Sequence, residues 1–429
     1  MLPSPDGRSL LLAHDGAAWS LPHVICDKGW LADAVDDIRT AFHERYGVDA
    51  IVLRILQWTP TSVAIELEAL SGTPRGEWGD LADSLPVQLW RDDRGWEQRV
   101  EPWQRRGWFN ETVAWIAARV TPLRTPRQVK AGWNGSCVLR VDTNGGVLFF
   151  KASPKRLPPE SAVIRELSVN WSRNVPPVID ADEERCWMLM RDAGGTPIDV
   201  RNPAMLAEAA GLMARIQLDQ APHAGRWAAM GCPDRSLDVL RSRLERLLVQ
   251  IPAQLHSAGV ITQAERSELV SFVPRADAIC GALASYAVPR RSIHHEDFRD
   301  GNAHRTASGT IVFIDWVDTV IAHPFFTIQR FLWFMPPPPG IPRHRIDKGK
   351  SDAARRTIRD AYLDELRRFE SRSRLQDAFS LSSQLSPIYD ALRFDSLGDT
   401  DATFRRGLTP DEARNARVVM AQMLEVCRG

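Results

Sequence analysis

Between positions 295 and 302 the chain reads His295-Glu296-Asp297-Phe298-Arg299-Asp300-Gly301-Asn302, the pattern H-x-D-x-x-x-x-N. A short way on comes Ile311-Val312-Phe313-Ile314-Asp315-Trp316. Moving a phosphoryl group onto a hydroxyl needs a carboxylate that orients the nucleophile and accepts its proton. It also needs oxygen ligands that hold a metal ion on the nucleotide phosphates. Asp297 fits the first task. Asn302, across a short loop, can reach back to a metal as a neutral ligand. Asp315 closes an apolar strand entered by the turn Ala307-Ser308-Gly309, and from there it can point into the same cleft as the principal magnesium ligand. Either pattern alone would pass for an ordinary polar loop or a strand ending in a solvated acid. The two in this order, behind a strand-rich segment, carry the chemical reading.

Those residues need elements to hold them. Ser136 to Val141 and Val147 to Ala152 read as strands flanking Thr143-Asn144-Gly145-Gly146, whose Asn-Gly and Gly-Gly steps predict a tight hairpin. A helix follows from Pro159 to Arg173, then the apolar run Cys186 to Met190. From Ala204 the pattern is mostly helical: Met205 to Gln217, Leu237 to Val249, Ala264 to Phe272, Ala353 to Ser371 and Pro410 to Val426, with Pro336 to Pro339 a rigid loop. A strand-rich half feeding a helix-rich half predicts an α+β arrangement, and clefts between such halves are common ligand sites. Residues 1–102 read as strands around one helix. Leu10 to Ala13, Val52 to Trp58 and the alternating Ser62 to Leu70 are strand-like, while Trp30 to Tyr46 carries Leu31, Val35, Ile38 and Phe42 at helical spacing, closed by Gly47. Residues 103–127 supply a connecting helix and linker.

The 429 residues carry 54 basic and 54 acidic side chains, for a formal net charge of zero. That argues against a broad nucleic-acid or anionic-membrane surface and leaves room for a local basic cleft. With 44% hydrophobic and 25% charged residues the chain can bury a sizeable core. No stretch approaches the roughly 18 consecutive apolar residues of a membrane span. The opening MLPSPDGRSLLLAHDG lacks the basic flank and long apolar core of a signal peptide. Cys26, Cys137, Cys186, Cys232, Cys280 and Cys427 stand singly, without a CxxC pair, and read as thiols of a reducing cytosol, so a cytoplasmic location is expected. Trp90, Trp96, Trp103, Trp108 and Trp115 crowd one stretch; a stacking platform is one reading and packing between domains the commoner one.

HEDFRDGN followed by FIDW resembles the catalytic loop and metal-binding strand of the aminoglycoside phosphotransferases and their relatives. That family shares the protein-kinase fold but has Asp-Trp where protein kinases have Asp-Phe-Gly. His323-Pro324-Phe325-Phe326 is similar to the family's continuation. The resemblance runs from about residue 128 to 335, more weakly through the helical C-terminus, and does not cover the first hundred residues. It implies a bilobal protein-kinase-like fold, with residues 128–192 the strand-rich N-lobe and 193–429 the helical C-lobe carrying the catalytic loop. It also implies ATP and Mg²⁺ as cofactors, Asp297 as catalytic base, and Asn302 and Asp315 as metal ligands. His295 reads as a brace of the loop; Arg299 is left between a phosphate contact and a surface ion pair.

The same resemblance puts the phosphate-contacting lysine at Lys151, at the end of VLFFK. It puts the cover of the phosphates at Gly132-Trp133-Asn134-Gly135-Ser136, where Gly135 and Ser136 offer backbone N–H groups. A lysine in that role needs a carboxylate. At about 100° per residue Glu160, Ile164, Leu167 and Trp171 share one helix face while Glu166 points largely away, so Glu160 is expected to meet Lys151. Favourable charge at a helix N-terminus is its plainer reading. Trp187-Met188-Leu189-Met190-Arg191-Asp192 resembles the strand linking the lobes, with adenine stacked on apolar side chains and hydrogen-bonded to backbone around Met190 to Asp192.

The implied function is transfer of the ATP γ-phosphate to a hydroxyl of a small molecule: an aminoglycoside-like antibiotic, a sugar or an amino alcohol. A cationic acceptor would need an acidic pocket, for which Asp318, Asp360, Asp364, Glu365, Asp395 and Asp399 are available, each equally readable as part of a solvated face. Two other readings stay open. One is a catalytically inactive kinase-like nucleotide-binding module, against which Lys151, Asp297, Asn302 and Asp315 count. The other is hydrolase activity in the N-terminal region, where the order strand, WSLP, helix ending ERYGV, strand distantly resembles a Nudix fold. The metal-binding helix of that family wants several glutamates, and only Glu44 is near a matching place, so residues 1–102 are expected to form an accessory or dimerising α+β domain. Nucleic acid and membrane are not expected as partners, and a homodimer is left open.

Overall fold

The computed structural model describes residues 1–4, 8–14, 19–26, 31–59, 61–79, 87–88, 101–131, 135–335, 353–397, 403–405, 407–408 and 410–428. Gly132 to Asn134, Trp90, Trp96, Asp399 and the Pro336 to Pro339 run lie outside them. The chain divides into two units, Met1–Arg165 with Pro176–Asp192, and Glu166–Val175 with Ala193–Gly429.

In the first unit, strand β1 (Leu10–His14) pairs antiparallel with β2 (Trp19–Ser20) and with β5 (Glu77–Gly79). The helical spacing after residue 30 becomes α1 (Leu31–Tyr46), whose Val35, Ile38 and Phe42 are buried. Gly47 ends it at φ +73°, a left-handed conformation that a side chain would strain. Next, β3 (Val48–Trp58) and β4 (Val63–Gly72) form a long antiparallel hairpin. A 3₁₀ turn at Pro102–Gln104 and helix α2 (Trp108–Ala117) follow.

A five-stranded sheet completes the unit in the order β6-β7-β8-β10-β9, every pair antiparallel. Its strands are β6 (Arg127–Ala131), β7 (Cys137–Thr143), β8 (Gly146–Ala152), β9 (Val178–Asp182) and β10 (Trp187–Arg191). The hairpin joining β7 to β8 forms at Thr143↔Gly146, with Gly146 at φ +106°. The described tryptophans of the crowded stretch are core residues. Trp103, Trp108 and Trp115 are buried with Phe150 and Trp187, and Trp115 meets Trp187 edge-on at 5.9 Å. Edge-to-face contact suits the ring quadrupole and leaves no open face for a ligand to stack on. Ile51 and Leu53 of β3 join the same core. The buried Gln128 completes the join as a strand would: its amide donates to Val52 O at 2.9 Å and accepts from Val52 N at 2.8 Å.

Helix α3 (Glu160–Trp171) precedes β9 in the chain. In the second unit, α4 (Pro203–Gln220) starts with Pro203 at the first helical position and Asn202 capping Met205 N. Gly211 faces the later helix at Ala361, whose carbonyl would make ordinary contact, at 3.5 Å, with an added Cβ. The single helix expected over Leu237 to Val249 is broken. Helix α6 (Leu237–Ser242), after the short α5 (Ala224–Ala229), gives way to a π-helical turn at Arg246–Gln250, and α7 (Ile251–Ser257) continues. Pro252 accounts for the π-helical turn, because it has no N–H for the carbonyl of Leu248 one turn back and its ring crowds that carbonyl. Helices α8 (Gln263–Ser271), opened by the reciprocal Thr262–Glu265 cap, and α9 (Val273–Ala284) follow.

Short strands then alternate with turns. β12 (Ser292–His295) pairs with β15 (Thr319–Ala322), and β13 (Ala303–Arg305) pairs with both β14 (Ile311–Phe313) and the two-residue β11 (Thr196–Pro197). The remaining helices are α10 (Pro324–Phe334), α11 (Ala353–Asp364), α12 (Arg372–Leu397) and α13 (Pro410–Arg428). The helix expected to reach Ser371 ends at Asp364, where i→i+3 bonds such as Leu366 N to Leu363 O tighten the chain into turns. No helix among the described residues is long and apolar enough to cross a membrane, and none of the six cysteines is bridged.

Candidate functional site

Strand β12 delivers the H-x-D loop at its C-terminal end. His295 is buried and its Nε2 donates to Ile314 O at 2.9 Å, so its ring ties the loop to the segment before Asp315. That ring also packs at 4.6 Å from Trp316. The brace expected of His295 is therefore a hydrogen bond with a named acceptor. Phe298 points inward and stacks on Phe331 at 4.1 Å, which anchors the loop and leaves Asp297 part-exposed. Asn302 ends a 3₁₀ turn and is buried. Its Nδ2 donates to Asp297 O at 2.9 Å and to Asp297 Oδ2 at 2.8 Å. With the nitrogen so placed, the amide oxygen faces the other way, toward whatever stands before the loop.

β13, the turn at Gly309 and β14 return the chain to Ile314, whose N–H donates to Asn302 O at 3.0 Å. The Asn174 side chain and backbone fasten β14 through Ile311 O and Phe313 N. Asp315 then adopts φ 64°, ψ 52°, the left-handed region, which costs a non-glycine residue of order 1–3 kcal/mol. Arg299 Nε lies 3.2 Å from Asp297 Oδ2, an ion pair within the loop.

Among the described residues no group of three or more His, Cys, Asp or Glu side chains could hold a metal by itself. The oxygen donors present nonetheless suit a hard divalent cation. Such an ion takes one or two protein oxygens, for which the Asp315 carboxylate and the Asn302 amide oxygen are the candidates.

In the first unit, Lys151 lies on β8 opposite Val138 of β7 and Met188 of β10. Its Nζ is 2.6 Å from Glu160 Oε2, with the two side chains only 4% and 3% exposed. Ser153 Oγ donates to the same carboxylate oxygen at 3.4 Å. Glu166, the alternative partner, pairs with Arg226 instead. Ser136 is buried, and a side chain at Gly135 would meet nothing within 4 Å, so open space adjoins that backbone. Met190 sits at a register shift between β10 and β9. The amides of Arg191 and Asp192 already donate to Pro177 O and Val147 O, so a purine met by this stretch relies on its other groups.

The motif's unspecified position holds what sequence reasoning passed over. Glu296 is buried, with its Oε1 2.9 Å from an Arg235 nitrogen and its Oε2 2.7 Å from Arg393 Nε. The Tyr389 hydroxyl donates to Oε1 at 2.5 Å. Burial pushes the Glu296 carboxyl up, but Arg235 and Arg393 outweigh it and hold it down at about 2. Neighbouring His294 contacts the Thr327 hydroxyl and is kept neutral by burial, its pKa lowered to about 3. Of the acids considered for a cationic acceptor, Asp360, Asp364, Glu365 and Asp395 each pair with an arginine: Arg372, Arg367, Arg215 and Arg246. Asp318 is paired as well, with Arg393 at 3.8 Å. Burial pushes its carboxyl up, Arg393 pulls it down, and Asp315, Glu296 and Asp297 push it further up.

Residues 125–375 match the model of a family described as the phosphotransferase enzyme family. Among solved structures the chain is similar to choline kinase from Cryptosporidium parvum, at 14% identity over 74% of this chain and 95% of that one, with a TM-score of 0.50. It is also similar to the macrolide 2'-phosphotransferase MphH from Brachybacterium faecium, at 13% identity over 73% and 98% with a TM-score of 0.48. A third is a choline/ethanolamine kinase family protein from Mesorhizobium loti, at 17% identity over 73% and 98% with a TM-score of 0.44. No curated protein matches. At these identities the likeness is one of fold, and the expected protein-kinase-like fold is the fold of this chain.

Proposed function

The chain belongs to the phosphotransferase enzyme family, and on that premise we propose that it moves the γ-phosphate of Mg-ATP to a hydroxyl of a small molecule in the cytoplasm. One observation carries this reading: the Asn302 side chain bonds both the backbone carbonyl and the carboxylate of Asp297, while Ile314 is tied to Asn302 and His295. Candidate base and candidate metal ligands are thereby fixed to one another through a few short contacts. Such rigid placement is what phosphoryl transfer asks of a protein, since it depends on positioning and charge stabilisation.

In this mechanism Asp297 accepts a hydrogen bond from the acceptor hydroxyl, aims its oxygen at the phosphorus and takes its proton as the bond forms. Asn302 and Asp315 would hold the Mg²⁺, which would neutralise phosphate charge there. Lys151, held by Glu160, contacts the nucleotide phosphates, and Gly135 and Ser136 offer backbone N–H groups to them. Met190 to Asp192 border the adenine. For residues 1–102 we propose an accessory role, their strands and α1 carrying a degenerate Nudix-like order in which Glu44 is the lone glutamate of the helix.

The test is ADP release from Mg-ATP across aminoglycosides, sugars and amino alcohols, comparing wild type with Asp297→Ala. Acceptor-stimulated release lost in the variant, by about 10²–10⁴-fold, is expected. Release unchanged by Asp297→Ala would overturn the assignment of the base.

A further inference from the structure

The β12–β15 ladder ends at the pair His295↔Thr319. Beyond it the two chains part, and the next residue on each is an acid: Glu296 on one, Asp318 on the other. Glu296 immediately precedes Asp297, and Asp318 closes the 3₁₀ turn that Asp315 opens. Burial first, and then the neighbouring Asp315, Glu296 and Asp297, push the Asp318 carboxyl up against the pull of Arg393, so the end of the ladder gathers acids that call for a cation between them.

Arg393 of α12 stands between them. Its Nε is 2.7 Å from Glu296 Oε2 and its terminal nitrogen 3.8 Å from Asp318 Oδ2. The other side chains of the cluster gather on Glu296, while the Arg235 backbone also donates to Ile321 O of β15 at 2.8 Å. Arg235 and Tyr389 take the other Glu296 oxygen, and Arg330, paired with Asp390, donates to its backbone carbonyl at 3.3 Å. Arg393 is thus the member of this cluster whose side chain reaches both acids. Its planar fork can meet two acids at once, which an ammonium does less well.

We propose that Arg393 is a positioning residue: by bridging Glu296 and Asp318 it sets the spacing between the loop that carries Asp297 and the turn that carries Asp315. The inference rests on the roles assigned above to those two aspartates. An arginine that served packing alone would, once replaced, cost stability by stranding its acids yet leave the Mg²⁺ dependence of the folded protein as it was. A spacer between two site segments would not.

The test uses the full chain with Arg393→Met, Arg393→Lys and, as control, Asp315→Asn. Binding of a fluorescent N-methylanthraniloyl ATP is titrated with Mg²⁺ and repeated in EDTA, and backbone hydrogen exchange is followed in the metal-free protein. Arg393→Met is expected to raise the half-saturating Mg²⁺ about tenfold, with Arg393→Lys in between and nucleotide affinity in EDTA unchanged. Exchange should quicken at residues 293–298 and 316–320 ahead of the rest of the unit. A wild-type Mg²⁺ dependence in Arg393→Met, or exchange quickened only along α12, overturns the proposal. If Asp315→Asn also leaves the Mg²⁺ dependence untouched, the metal-site reading falls too; if Asp315→Asn abolishes it and Arg393→Met does not alter it, only this inference falls. Should Arg393→Met not fold, Asp318→Asn serves in its place. It frees Arg393 from one partner and is expected to raise half-saturating Mg²⁺ about threefold, and no shift overturns the bridge.

Discussion

Replacing Lys151 and Glu160 singly and together separates what this pair does for the fold from what it does for the reaction. The two charges are 2.6 Å apart and their side chains are almost wholly withdrawn from water. Removing either partner strands the other charge in that environment, at a cost of about 3–5 kcal/mol. Lys151→Met and Glu160→Gln should each lower the midpoint of thermal unfolding by on the order of 10 °C, given about 2–4 °C per kcal/mol for a unit of this size. The double variant strands nothing. Methionine fills the lysine stem's volume, and Ser153, already hydrogen-bonded to the Glu160 carboxylate, gives a glutamine a partner. Its stability should return to within about 2 kcal/mol of wild type, a coupling of several kcal/mol. Turnover should not return with it, because a methionine makes no phosphate contact, and kcat should stay down about 10²–10³-fold. Urea unfolding followed by tryptophan emission is apt, since Trp115 and Trp187 lie in the adjoining core, and ADP release reports turnover. Additive losses in the double variant would refute the buried pair. Restored turnover in it would refute the phosphate role of Lys151.

Other consequences follow from single contacts. Asp315→Asn keeps a side chain that tolerates the left-handed backbone, so it should change unfolding free energy by less than about 0.5 kcal/mol while abolishing Mg²⁺-dependent ADP release; a large loss of stability would show the carboxylate serving the fold. His323 caps α10 by accepting the Phe325 N–H and is held neutral by burial, and then by Arg290, its pKa lowered to about 3. Unfolded chains bind that proton near pH 6.5, so its share of stability is lost as pH falls from about 6.5 toward 3. His323→Asn keeps a capping acceptor and should lessen the fall in urea-derived stability between pH 7 and 5 by about 2 kcal/mol in all. Gln128→Leu strands the N–H and C=O of Val52, so urea unfolding should show a loss of about 2–4 kcal/mol; a loss below 1 would mean that β3 and β6 are joined by the apolar core alone.

The site segments were legible where chemistry forces local sequence. A base and a metal ligand on one loop must be close in the chain, and H-x-D-x-x-x-x-N is short for that reason. The choice of Glu160 over Glu166 came from helix periodicity, which fixes direction without knowledge of what lies opposite, and the ion pair with Lys151 has that direction. What escaped was carried by partners distant in sequence. Nothing near Glu296 announces Arg393 or Tyr389, and nothing near Gln128 announces Val52. The same limit hid α12. Pro387 inside it would be taken for a stop, yet the flanking Leu385, Ile388 and Tyr389 are buried and hold the helix through the proline.

The strain at Asp315 gives the local arrangement its logic. An aspartate turned to φ 64° relaxes unless the residues beside it leave no alternative. Here the residue before it is held at both ends, its N–H given to Asn302 O and its carbonyl receiving His295 Nε2, while the Trp316 indole donates to Phe313 O at 2.9 Å behind it. Thr319, the first residue of β15, donates its hydroxyl back to Trp316 O at 2.5 Å. Four short bonds therefore over-determine one unfavourable backbone angle, and two of them belong to residues of the H-x-D loop itself. A fold that needed Asp315 only as a turn could have placed glycine there without strain. Keeping a carboxylate in that conformation, tied to the loop that bears Asp297, makes sense where its direction matters more than the strain it stores.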